Sequence, residues 1–353
     1  MDRIIAERIE GQGGDALGRL RLNRPAALHA LDRTMCEGAL QVIGGWLDDV
    51  DVRAITIDHA DGRGFCAGGD IRQAADLVNS AGIDAAQALF GAEYRLNHRI
   101  HTAVKPIACF MDGVTMGGGV GLAVHCRHRV ATPRTIWAMP ETAIGFFPDV
   151  GACWYLARLP GHIGRYLALS GARLGAADLL WLGLADHFLD EDAVTVAKER
   201  IAADPGEMPA ILTELHSEPA EPSALATHAE AIERLFAAPT LEAILDALAG
   251  EDSDFAQQTR AKLAKMAPLS CKVALRLLDH SLQHIDFADQ MRLEYTIATR
   301  MVGRPDFAAG VRAALVERTG PPTWDPADAD AVSDSMVDRI FASAGVGEEW
   351  EPA

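Results

Sequence analysis

PIACFMDGVTMGGGVGLAVHCRHRVATPRTIWAMPETAIGFFPDVG, residues 106 to 151, decides how this chain is read. It opens on an apolar run expected to form a buried strand. A turn with Gly117, Gly118 and Gly119 follows, then an apolar stretch at helical period and a second β-type run. It closes on Glu141 and Asp149, two carboxylates among Ile144, Phe146, Phe147 and Val150. Backbone N–H groups at a glycine turn, aimed along a helix axis, can hold an oxyanion. Carboxylates in apolar surroundings hold their protons more tightly and are acid, base or nucleophile candidates near neutral pH.

On both sides of this segment the chain alternates strand and helix. Residues 3 to 9 and 16 to 22 are predicted as a hairpin around Gly11, Gly13 and Gly14. Residues 32 to 47 have helical spacing, with Asp32 or Thr34 as the cap. VRAITID, residues 52 to 58, is a compact β-type run, and GRGFCAGGDI, 62 to 71, is a glycine-rich loop entering a helix. Residues 84 to 103 are predicted helical and carry Glu93 and Tyr94. The alternation implies an α/β layer architecture to about residue 200. From 201 to 353 the sequence is predicted almost wholly helical, with EPAEPSA (218 to 224) as a breaker. The Pro- and Asp-rich stretch from 319 leads to a short helix around 336 to 341.

Bulk properties narrow the function. A net charge of −18 over 353 residues argues against nucleic-acid binding, which draws its affinity from Lys and Arg on phosphates. It leaves open an anionic small ligand, since local charge decides that. No stretch approaches the roughly 18 to 20 apolar residues of a membrane span, and MDRIIAERIE does not read as a signal peptide. The six cysteines are scattered without a CxxC pair, so neither zinc nor disulfides are indicated and a reducing cytosol is expected. There is no HExxH motif and no G-x-S-x-G, so metal-dependent and serine hydrolysis lack support.

Each candidate has a plainer alternative. FCAGGDI (65 to 71) can be a strand-to-helix turn capped by Asp70. MGGGVGL (116 to 122) spends three glycines before a helix, each costing about 0.5 to 1 kcal/mol relative to Ala. Tight helix packing would explain them, whereas a dinucleotide fingerprint would not, because Leu122 takes the place of the third glycine. Two separated N–H groups, one per loop, fit an oxyanion hole better. Asp149 can simply cap the helix expected at 150 to 158. Glu93, on a helix, is by default a solvated residue. Cys66 and Cys109 are expected as small buried residues.

Taken together, FCAGGDI, MGGGVGL and AMPETAIGFFPDVG resemble the crotonase (enoyl-CoA hydratase/isomerase) superfamily, and within it the 3-hydroxyisobutyryl-CoA hydrolase subfamily. The resemblance runs from LNRPAALHALD (22 to 32) to DFAAGVRAALVE (306 to 317). It implies a spiral of ββα turns over residues 1 to 200, followed by a helical C-terminal region over 201 to 353. The oxyanion hole would be the N–H groups of Gly69 and Gly118, and Glu141 and Asp149 would be the catalytic carboxylates. Ala67, Asp70, Ile71 and Leu28 would lie along the coenzyme A portion of the substrate, and Glu93 would line the acyl pocket. No metal or cofactor would be needed beyond the CoA of the substrate. The superfamily often forms trimers or dimers of trimers, and the resemblance leaves the oligomeric state of this chain open.

Two departures from the wider superfamily matter. Its hydratases carry a second glutamate three residues after the middle glycine, where this chain has Gly121. Here Asp149 stands where hydratases commonly have glycine. Losing one carboxylate and gaining another elsewhere favours thioester hydrolysis over alkene hydration, with an enoyl-CoA hydratase or isomerase as the alternative and an idle acyl-CoA-binding protein as a third. His29 replaces the Asn common in the RPxxxNAL stretch, which places an imidazole near the expected CoA entrance.

Overall fold

In the computed structural model, which describes residues 2–317, 322–346 and 348–353, three successive ββα turns lay down two sheets at once. The hairpin β1 (Ile4–Glu10) and β2 (Ala16–Leu22) is antiparallel, pairing Ile4 with Leu22. Helix α1 (Arg33–Asp48) follows, capped by the Asp32 carboxylate on Met35 N–H at 2.9 Å. Then β3 (Val52–His59), β5 (Ile107–Met111), β7 (His128–Ala131) and β9 (His187–Phe188) join β2 in parallel, giving the order β1-β2-β3-β5-β7-β9. The central strand β5, IACFM, is apolar and buried along its whole length, as a parallel strand covered on both faces must be.

Each turn also places a three-residue strand in a second parallel sheet, β4 (Gly64–Cys66), β6 (Val114–Met116) and β8 (Ile136–Ala138). The loop expected over 62 to 71 instead contains strand β4; three residues are too short to show a period of two. The pairing of β4, β6 and β8 builds the site. Cys66 lies beside Thr115 and Met116 beside Ala138, so the segments that follow all leave the same edge of the small sheet. Those segments are Ala67–Gly69, Gly117–Gly118 and Pro140–Glu141. Ligand sites in parallel sheets lie at this carboxyl edge.

After β4 come α2 (Ile71–Ala81) and α3 (Ile83–His101); α4 (Gly118–Val124) follows β6, and α5 (Ala152–Leu156) comes after β8. The first face of the large sheet shares one hydrophobic cluster with the C-terminal helices, from Ala16 through Phe147 and Met291 to Trp350. The opposite face is covered by helices Glu191–Ala203 and Met208–Leu215, which pack Ile201, Met208 and Leu212 on Leu17, Ala54 and Phe110. Residues 216–223, which include most of EPAEPSA, form no helix. The 319 to 321 start of the Pro-rich stretch lies outside the described residues; the helix expected near 336 runs Asp334–Phe341. All six cysteines are buried and unpaired.

Candidate active site

The edge of the small sheet opens into a cavity of about 770 Å³. Gly69, Gly118, Glu141 and Asp149 line it, as do Glu93, Ala67, Asp70, Ile71 and Leu28. The residues singled out from sequence are therefore brought together, from segments as far apart as 28 and 149.

Two unused N–H groups mark its centre. Leu31 bridges the strand-like loop at Gly69 by donating to Gly68 O and accepting from Asp70 N, at 2.8 and 2.7 Å. In such a pairing the middle residue faces away, so Gly69 N–H is left for the cavity. Gly118 is the first residue of α4, where an N–H has no partner within the helix. Among the described residues neither group has a backbone acceptor. They are close together: a Cβ on Gly118 would lie 3.0 Å from Gly69 N. Gly117, with φ 49° and ψ −121°, turns the chain so that this approach is possible.

Three carboxyl groups share the buried end. Glu93, Glu141 and Asp149 are only 3 to 7% exposed. Among the described residues none has an Arg or Lys ion-pair partner, and Glu93 Oε1 and Glu141 Oε2 have no hydrogen-bond partner. Burial raises Glu93 to about 8, with the Asp149 charge adding to it. Burial likewise pushes Glu141 well above the usual carboxylate range, again with Asp149 contributing. Asp149 is raised by burial to about 7, opposed by Tyr94, whose hydroxyl donates to Asp149 Oδ2 at 2.7 Å. Glu93 and Asp149 are thereby brought toward neutrality, and Glu141 holds its proton above the usual carboxylate range. Phe90, Phe146 and Phe307 form the apolar wall, with ring centroids 5.4 Å apart in each pair with Phe146.

Several expectations change. Asp149 caps no helix: the turn before α5 is capped at Gly151 without a side chain, and the Asp149 carboxylate is taken by Tyr94. Glu93 leaves its solvated default for the core. Asp70 does both jobs, capping α2 through Gln73 N–H at 3.1 Å while lining the cavity. His29 sits between Leu28 and Ala30, two residues of the cavity wall. It is fully buried and does not line the cavity. Its Nδ1 accepts from Arg24 N at 2.9 Å, so Nε2 carries the proton and donates to Asp61 O at 2.7 Å. The imidazole ties two loops together and holds Leu28 and His29 at φ 47° and 58°.

Gly121 is sealed by its neighbours. A Cβ there would lie 2.6 Å from Val150 Cβ and 2.9 Å from Asn97 Nδ2. The room that a larger side chain would need is filled by Val150. Gly121→Glu is therefore expected to lower stability by about 3 kcal/mol through overpacking, read by thermal or urea melting, and to gain no hydratase activity.

Comparison with known proteins gives the same architecture. The family model described as enoyl-CoA hydratase/isomerase matches residues 17–341. The chain belongs to the enoyl-CoA hydratase/isomerase family. In Xenopus tropicalis, "3-hydroxyisobutyryl-CoA hydrolase, mitochondrial" is 38% identical over 336 residues, covering 93% of this chain and 87% of the relative. The Gallus gallus protein of the same name is 39% identical, covering 96% and 89%. Among solved structures, a carnitinyl-CoA dehydratase from Mycobacterium thermoresistibile superposes with TM-score 0.91 at 33% identity, covering 98% and 97%. An enoyl-CoA hydratase from Rhodobacter sphaeroides gives 0.88 at 34%, covering 98% and 99%. The crotonase fold expected from the glycine motifs is the fold observed.

The sequence places Tyr94 on a helix without a role, and gives no role to Glu294. Glu294 left one signal: on helix Phe287–Val302 it sits in register with Met291, Ile297, Ala298 and Met301, on the core-facing stripe.

Proposed function

We propose that this member of the family hydrolyses acyl-CoA thioesters, with 3-hydroxyisobutyryl-CoA as substrate, giving 3-hydroxyisobutyrate and free CoA in valine breakdown. The observation that carries the reading is the exchange of carboxylates. The hydratase position, Gly121, is closed by Val150, and Asp149, held from behind by the Tyr94 hydroxyl, lines the cavity instead. The curated relatives named hydrolase at 36 to 39% identity support it.

In this scheme the thioester oxygen rests on Gly69 and Gly118 N–H, which stabilise the charge that develops as the carbonyl becomes tetrahedral. Glu141 supplies the electron pair, attacking the carbonyl to form a mixed anhydride or drawing a proton from the attacking water. Asp149 holds the 3-hydroxyl and, when protonated, gives its proton to the departing thiolate. Glu93 lines the acyl end. Leu28, Ala67, Asp70 and Ile71 line the route of the pantetheine and adenine. Arg63 and Arg72, exposed at the mouth and without ion-pair partners among the described residues, suit its phosphates despite the acidic net charge. The scheme uses no metal or redox cofactor. It is proposed to run in the cytosol, on a homo-oligomer whose size light scattering reads.

Release of free thiol from 3-hydroxyisobutyryl-CoA, followed with dithionitrobenzoate, tests the reading; no release would overturn it. The structural neighbours titled dehydratase and hydratase favour the second reading, an enoyl-CoA hydratase or isomerase. Loss of enoyl absorbance from crotonyl-CoA would establish that one instead. Asp149→Asn is expected to lower turnover of the 3-hydroxy ester about tenfold more than that of isobutyryl-CoA, the size of one charge-assisted hydrogen bond. Equal losses on both substrates would remove Asp149 from hydroxyl recognition.

A further inference from the structure

The turn that presents Asp149 is strained. Val150 has φ 54°, a left-handed conformation that a β-branched side chain strongly resists. Such backbone persists only where its surroundings over-determine it. Two contacts bracket it. His125 Nε2 donates to Val150 O at 2.8 Å. On the other side Gly151 N–H donates to Glu294 Oε2 at 2.7 Å, across 143 residues of chain.

Glu294 is a costly way to make that second contact. It is fully buried, reaching in from the C-terminal helix Phe287–Val302, and no Arg or Lys pairs with it among the described residues. Its other oxygen accepts from Gln290 Nε2 at 2.8 Å, and Gln290 Oε1 meets His284 Nδ1 at 3.1 Å. The carboxyl is thus aimed by a chain of partners on its own segment. Burial raises it to about 8. An apolar side chain would pack there without a desolvation cost but would leave Gly151 N–H unsatisfied.

We infer that Glu294 is a positioning residue for the reaction: by gripping Gly151 N–H it holds the Asp149–Val150–Gly151 turn in its strained form and keeps Asp149 on Tyr94 and in the acyl pocket. This rests on the hydrolase reading for the role of Asp149. Glu294 itself does not line the cavity.

The test compares thioester turnover by four full-length chains: wild type, Glu294→Leu, Asp149→Asn and the double variant. If Glu294 acts through Asp149, Glu294→Leu lowers kcat about 100-fold, the usual effect of displacing a catalytic group by an ångström. KM stays within about twofold, because the CoA contacts are untouched. In the Asp149→Asn background the same change costs less than about twofold, since coupled residues are not additive. Glu294→Gln, which keeps an oxygen for Gly151, restores most of kcat. Equal losses in both backgrounds, or wild-type kcat in Glu294→Leu, would overturn the inference.

Amide exchange gives a readout free of the substrate assignment. Exchange of Gly151 N–H should accelerate in Glu294→Leu and stay slow in Glu294→Gln, and unchanged exchange in the Leu variant would refute the grip. A wild type that releases no thiol would refute the hydrolase reading alone and leave the exchange result to decide this one. If Glu294→Leu does not fold, Gln290→Leu, which frees the other oxygen of Glu294, must show the same non-additivity at smaller size.

Discussion

Glu141→Gln should lower turnover by about a thousandfold, in the upper range for losing a general base or nucleophile, while leaving binding of CoA esters nearly unchanged. The side chains are isosteric, and Glu141 Oε2 has no hydrogen-bond partner to lose among the described residues. Its Oε1 would lie 2.8 Å from a Cβ on Gly117, so the carboxyl sits directly over the glycine turn. An amide there can neither attack a thioester nor take a proton. The pH profile gives a second check. Burial and Asp149 make Glu141 hold its proton above the ordinary range, and only the ionised form is reactive. The wild-type rate should therefore climb with pH along a limb displaced upward from the ordinary carboxylate value of 4.5. That limb should vanish in Glu141→Gln. Calorimetry with a CoA ester and steady-state kinetics check both halves; a variant that retains turnover would remove Glu141 from the mechanism.

Gly118→Ala should be nearly as damaging for a different reason. The added methyl would fall on Glu93 Oε1 and lie 3.0 Å from Gly69 N, between the two donors that face the thioester oxygen. Either the Glu93 carboxyl or the turn must move. Losing one oxyanion donor costs about 100- to 1000-fold in kcat, and this change disturbs both. α4 is only seven residues long and sits inside the core, so circular dichroism and a melting curve must accompany the kinetics. Near-wild-type kcat in a folded Gly118→Ala would take the oxyanion role away from this position.

How much of this was legible beforehand depended on length along the chain. The hairpin strands, α1, α3 and the C-terminal helices Pro268–Ser281 and Phe287–Val302 are seven to nineteen residues each, enough for a hydrophobic period to declare itself. The three short strands are not, although their pairing gathers the motifs. The glycine turns and Glu141 could be picked out locally because each motif is contiguous in sequence, although the groups around them, Gly69 and Glu93 at Gly118 and Glu141 at Gly117, come from separate turns of the chain. Asp149 could not, since capping and chemistry look alike until Tyr94, 55 residues earlier, is seen to hold it. The hydrogen bonds of His29 were not legible for the same reason. Its partner Asp61 lies 32 residues on, and only that contact shows the ring turned inward as a tie between loops.

The contact from Gly151 to Glu294 also bears on how the protein is made. While the chain is being synthesised, the glycine turns, α3 and the Asp149 turn emerge long before the helix that holds them. Val150 then has nothing to keep it left-handed, and the face that Phe287 and Met291 will cover is open to water. Local helices can form early, but contacts over such separations come late, and surface waiting for them invites aggregation. A growing chain that has passed residue 200 carries every glycine and carboxylate lining the reaction centre, yet lacks the turn geometry that makes Asp149 useful. Slower synthesis at low temperature, or a chaperone that shields that face, should therefore raise the yield of active enzyme more than the yield of total protein.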